Sequence, residues 1–199
     1  NYGLAALLLW ISAVLRPAGD ARNSAHQPVA LRLSSEKSEF IFGEPIYLRL
    51  SITNNKATPI SFLINSDHER SFAFSVIDGD KETVQNMDQS FGGGIKEKVK
   101  IEAGKSFGAD ILLSNCLWFK KPGVYTISCK ANFSTSTNDA EVGPIDTCTI
   151  EIRIKEDAEA LKLIVDGLTK KYSSESKSAK ISALNELVVI RQPVALNIL

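Results

Sequence analysis

The chain predicts a mainly β protein, an antiparallel β-sandwich of about seven to nine strands followed by a short C-terminal α-helical segment. Three observations predict it. Apolar and polar residues alternate in run after run, the period-two pattern of half-buried strands. Turn-forming residues recur about every 10 positions, the spacing of a sandwich rather than a βαβ sheet. After Asp157 the apolar period changes to the 3.6 of a helix.

The elements follow in order. Gly3 to Leu15 is an unbroken run of 13 apolar or small residues. A bilayer takes about 20 helical residues, so the run is too short to span one. It fits the apolar region of a secretory signal peptide, and Gly19 and Ala21 suit cleavage after Ala21. A retained anchor and a buried helix are the alternative readings. Residues 1–21 are therefore read as a leader and 22–28 as a flexible linker. No initiator Met or basic stretch precedes the run, as expected for a piece of a longer chain.

Residues 29–156 carry the sandwich. Val29 to Leu33 and Glu39 to Phe42 are strand-like. Gly43-Glu44-Pro45 interrupts, and Ile46 to Thr53 then alternates cleanly, with Ile46, Leu48, Leu50 and Ile52 on the inward side. Pro45 cannot donate to a ladder and belongs at a strand start, while Gly43 can take positive φ and re-aim the chain between sheets. Further strands are expected at 60–64, 72–77, 98–102, 106–113, 124–133 and 148–154. Asp78-Gly79-Asp80 reads as a tight turn. Pro122-Gly123 presets another, with Pro at its first central position and Gly at its second. Tyr125 just beyond can bury its ring and send its hydroxyl to nearby backbone. Asp157 then caps a helix with Leu161, Ile164, Val165, Leu168 and Tyr172 on one face. Ile181, Leu184, Leu187 and Val188 mark a second, ended by Pro193. The apolar stub Val194 to Leu199 is expected to continue into further chain, so 157–199 reads as a truncated helical segment.

Charge and cysteine usage narrow the function. Lys+Arg and Asp+Glu both count 23, for zero formal net charge. That argues against nucleic acid as a partner, which needs a basic footprint. The lysine clusters at 96–100, 120–121 and 170–171 read as solvated strand edges and helix ends. Of the three cysteines, two form a pair if a hairpin centres on Asn138-Asp139. Cys129 then lies directly opposite Cys148, on the inward face. The pair is either a disulfide, suited to an oxidising compartment, or two thiols packed as small hydrophobes. Cys116 is left over.

Motifs for chemistry are sparse. Asp67-His68-Glu69 sets a titratable base between carboxylates but lacks a further ligand at metal-site spacing, and reads as an exposed loop. Asp78, Asp80 and Asp88 offer oxygens to Ca²⁺, yet no 12-residue loop with a terminal Glu follows Asp78, so a turn is the better reading. Gly92-Gly93-Gly94 precedes no Lys-Ser/Thr helix and is no phosphate loop. Asn132-Phe133-Ser134 matches a glycosylation acceptor inside a strand-like run. No catalytic set, cofactor or metal is expected. Trp118 and Phe119 sit on a connection, either plugging the end of the sandwich or anchoring a partner.

The run Glu39 to Pro45, a strand ending in Asn54-Asn55, Pro59-Ile60, Gly104-Lys105-Ser106 and Lys121 to Ile127 together resemble secreted bacterial immunoglobulin-like domains. The resemblance covers roughly residues 29–155. Ala183 to Leu187 and onward resembles the start of a HEAT-like helical repeat. It implies an exported, non-catalytic immunoglobulin-like module, secreted or periplasmic, for protein contact or for spacing within a larger protein. Its partners would be a protein or further domains of the same chain, with membrane contact only through an uncleaved leader. Alternatives are a protease inhibitor, with 66–71 or 86–94 entering an enzyme cleft, and an accessory domain of a larger secreted enzyme.

Overall fold

The computed structural model describes residues 27–65, 71–84, 96–131, 134–135, 145, 147–173 and 176–190. In chain order the first strands are β1 (Val29–Ser34), β2 (Glu39–Ile41), β3 (Tyr47–Asn54), β4 (Ile60–Asn65) and β5 (Phe72–Asp78). They continue as β6 (Lys96–Ile101), β7 (Ser106–Leu112), β8 (Gly123–Ala131), β9 (Ser134–Thr135) and β10 (Cys148–Lys155). The fold is mainly β and immunoglobulin-like. β3 is central in one sheet, paired antiparallel with β1 and β7. A second sheet runs β2-β10-β8-β5, antiparallel except for the parallel β2–β10 pair. A third runs β6-β4-β9. The ten strands among the described residues exceed the expected seven to nine. The surplus is β9, two residues paired with Phe62 and Leu63, too short to leave a period-two signal.

One apolar core draws on all three sheets. Leu31, Leu50, Phe62, Phe74, Ile111, Ile127 and Ile152 all belong to it. The alternation of β3 has the outcome its pattern dictates: Leu48, Leu50 and Ile52 are fully buried, while Tyr47 and Arg49 face out. Burying such side chains contributes roughly 1.5–3 kcal/mol each. Asn54 is a buried polar exception, and its partners are complete. Its Nδ2 donates to the carbonyls of Thr58 and Ile101, and its Oδ1 accepts from the Lys56 N–H. Its backbone pairs with Gly104 and Lys105, so it ties two turns together at one end of the sheet, as a buried polar group must be satisfied.

Two helices follow, α1 (Ala158–Tyr172) and α2 (Lys177–Val189). Asp157 caps α1 by accepting from the Ala160 N–H at 2.9 Å, and Ser176 caps α2 through the Ala179 N–H. Leu161, Val165 and Leu168 pack with Leu187, Ile190 and the β2 residue Ile41, seating the hairpin on the sandwich. Lys171 Nζ reaches Glu186 Oε1 and Ser182 Oγ, each at 2.9 Å, and pins the helices together. No helix among the described residues is long and apolar enough to cross a membrane.

Candidate interaction surface

Phe42-Gly43-Glu44-Pro45 lies where the chain leaves one sheet for the other. Phe42 N–H still bonds Lys155 O beside β10, and Glu44 N–H closes a turn onto Ile41 O. Gly43 takes φ +96° within that turn, where a Cβ is unfavourable. Ile46 then meets the 3₁₀ turn Leu113–Asn115, donating to Ser114 Oγ and accepting from the Leu113 N–H. The Glu44 carboxylate is buried and paired with Lys37 Nζ at 2.6 Å, and the same ammonium sits 4.9 Å from the Phe40 ring. A shallow cleft with about 40 Å³ of free space opens here, lined by Phe42, Glu44, Ser114, Trp118, Phe119 and Val189 among others.

The connection carrying the two aromatics divides them. Phe119 turns inward, edge-to-face with Tyr125 at 4.9 Å between ring centres. Trp118 remains 45% exposed, with Lys120 Nζ 5.7 Å over its ring. Plug and surface are therefore separate residues, since neighbours on an extended connection point opposite ways. Tyr125 is buried, and its hydroxyl donates to Lys121 O at 2.6 Å. Burial is the main cause that pushes its phenol above the ordinary tyrosine range.

Pro122 and Gly123 do not form the expected tight turn. Gly123 is already in β8, opposite Ile154, with φ +159°. The turn chemistry lies across from it, at Asp78. Asp78 Oδ1 accepts from the backbone N–H groups of Asp80 and Glu82, each at 2.9 Å. Lys121 Nζ bridges Asp78 at 3.0 Å and Asp80 at 2.6 Å. The Glu82 N–H, then Lys121, holds the Asp78 carboxyl below its usual range, and Asp80 and Asp78 push the Lys121 ammonium up. This is a latch between the β5 turn and the start of β8. Among the described residues no group of three or more His, Cys, Asp or Glu is placed to hold a metal.

α2 departs from its expected face. Leu187 packs inward, but Ile181, Leu184 and Val188 are exposed. Positions 181, 184 and 188 share one side of the helix; Ala183, Leu187 and Ile190 share another. Both sides are apolar, which is how a helix covered on two sides reads. Tyr172, expected inward on α1, is likewise 45% exposed. Val189 brings the end of α2 to the cleft beside Trp118.

Cys129 and Cys148 are directly opposed in the β8–β10 ladder, and both are free thiols here, as is buried Cys116. Sequence reasoning missed the Glu44–Lys37 pair and the part played by Val189, because each depends on packing between distant segments. The run at 1–21, residues 22–26 of the linker, Asp67-His68-Glu69, Asp88, Gly92–Gly94, Asn132-Phe133, Asn138-Asp139, Pro193 and Val194–Leu199 lie outside the described residues. So do most of the loops assigned to an inhibitor.

Residues 35–155 match the family described as flagellar collar protein C, N-terminal domain. The chain belongs to that family. The match to the collar-protein domain begins after β1 and ends on Lys155, the last residue of β10. It takes in the aromatic connection, the cysteine pair and all of the cleft lining except Val189; the helical hairpin, read as the start of a HEAT-like repeat, lies beyond it. No curated protein matches the chain. Among solved structures, the CARDB domain of a Pyrococcus furiosus protein, determined with di-metal ions, is similar over 64% of this chain and 87% of its own, at 8% identity and TM-score 0.36. Red sea bream transglutaminase is similar over 66% of this chain and 17% of its own, at 9% identity and TM-score 0.38. Listeria innocua β-glucosidase in complex with glucose follows at 63% and 16%, 15% identity and TM-score 0.32. At these values neither the metal ions of the first nor the chemistry of the enzymes transfers to this collar-family chain.

Proposed function

We propose that the chain is a non-catalytic, extracytoplasmic module of the flagellar collar, a β-sandwich that holds protein partners within a larger protein. The observation that carries this reading is the family match over residues 35–155, which contains every described strand except β1. The cleft of about 40 Å³ has room for a water or two or the tip of one side chain. The export part of the reading rests on the apolar run Gly3 to Leu15.

The partner meets α2. Its outer side presents Ile181, Leu184 and Val188, and its exposed charges are Lys177 and Lys180, because Glu186 is drawn in to Lys171. The complementary surface is an apolar protein face with acidic flanks. The test is a tagged copy of the full protein expressed in its own organism. Placement at the flagellar collar supports the reading, and a diffuse or cytoplasmic distribution overturns it. Ile181→Glu with Val188→Glu should abolish that placement. Normal placement of the double variant would keep the collar assignment and remove α2 as the contact face.

A further inference from the structure

We propose that Cys129 and Cys148 form a cross-strand disulfide site, in which Cys148 is the attacking thiol and Cys129 the resolving one. The two residues face each other across the β8–β10 ladder, whose register runs without interruption from Gly123–Ile154 to Cys129–Cys148. Directly opposed antiparallel residues have Cα atoms about 4.5–5.5 Å apart, inside the roughly 4.4–6.8 Å span that a disulfide bridges. Directly opposed residues share one face of the pair, and the Cys148 sulfur lies 3.8 Å from the Cys129 carbonyl oxygen.

Their surroundings are unequal. Cys129 is fully buried in the common core, opposite Phe74 on its other flank, while Cys148 is half-buried at the margin of the same core. An oxidant in solution can reach only the second. The electrostatics agree in direction. The hydrogen bond from the Cys129 thiol favours the Cys148 thiolate, whereas its bond to Cys148 and its burial keep Cys129 protonated. Cys116, also buried, is not in this register and stays a thiol.

The chemistry is thiol–disulfide exchange with a disulfide oxidant. The Cys148 thiolate attacks one sulfur of the oxidant, the oxidant's S–S bond breaks, and one thiol leaves with the proton that Cys148 gave up. Cys129 then loses its proton and attacks the Cys148 sulfur, expelling the oxidant's second thiol. Two protein thiols are oxidised and one small disulfide is reduced to two thiols. The bond would fasten the ends of strands that flank residues 132–147, and thereby hold β8 and β10 together next to the core.

Folded chain equilibrated with oxidised glutathione, then acid-quenched, unfolded, alkylated and mapped by mass spectrometry, tests this. The expected result is a linked peptide pair containing Cys129 and Cys148, and a fall in alkylatable thiols from three to one, Cys116. The link should persist in Cys116→Ala and vanish in Cys148→Ser, with Cys129 carrying no glutathione there. Three alkylated cysteines, a link through Cys116, or a lasting glutathione adduct on Cys148 without closure would each overturn the proposal. The wild-type chain alone decides among these outcomes, so misfolding of a variant does not obscure them.

Discussion

β3 and α2 are both rich in aliphatic residues, yet one spends them on the protein's own core and the other does not. Leu48, Leu50 and Ile52 on β3 are fully buried, whereas Ile181 and Val188 on α2 are 51% and 58% exposed. The difference is one of periodicity. In a strand successive side chains alternate faces, so one set of aliphatics can have only one destination. On a helix, positions 181, 184, 187 and 188 spread over a wide arc, and a hairpin partner covers only part of it. Among the described residues the sandwich thus buries its strand aliphatics within its own core, while the hairpin seats one side on Ile41 and leaves Ile181, Leu184 and Val188 exposed.

The largest expected effect breaks that contrast if it fails. Leu50→Ala should cost about 3 kcal/mol in urea unfolding, by lost transfer energy and the cavity left in a core that cannot collapse around it. Gly43→Ala should cost about 1–2 kcal/mol, since φ +96° is a strained place for a Cβ. A cost as small as that of a surface change would mean the turn between sheets relaxes freely. Tyr125→Phe removes the hydroxyl bond to Lys121 O and should cost about 1 kcal/mol, with the Phe119 contact retained.

The Asp78 latch gives a pH signature. Its folded carboxyl lies below the ordinary value of 3.8. Its stabilisation is therefore full above that value and is lost as pH falls through the lower folded one. Asp78→Asn should make the acid limb of the stability curve, below about pH 4, shallower than in the parent. An unchanged limb would place the acid sensitivity elsewhere. The smallest effect belongs to α2: Ile181→Ala should change stability by under about 0.5 kcal/mol.

Local sequence made some of this legible. Strict alternation marks the inward residues of β8 and β10, and the opposition of Cys129 and Cys148 is the part of the expected hairpin that the ladder shows, its expected centre at Asn138-Asp139 lying outside the described residues. Asp157 is legible as a cap because its side chain serves a backbone group only three residues on. Asp78-Gly79-Asp80 was readable as a turn because its side chain serves backbone groups only two and four residues on. Gly123 was misread because Pro-Gly normally marks turn centres, while here the neighbouring β10 draws Gly123 into the ladder. Trp118 and Phe119 could not be told apart, since both are aromatic and only the position of Tyr125 decides which one turns in. The outer face of α2 was hidden for a different reason: amphipathicity marks apolar sides without saying which one the rest of the chain covers.

The most direct measurement of the central claim is the urea midpoint of the purified Ile181→Glu, Val188→Glu chain, taken beside Leu50→Ala and the parent. A midpoint within error of the parent, with Leu50→Ala far below, is the result predicted for a self-sufficient sandwich and an outward-facing helix. A midpoint lowered as much as that of Leu50→Ala would show that the α2 face belongs to this protein's own core, and would contradict the account.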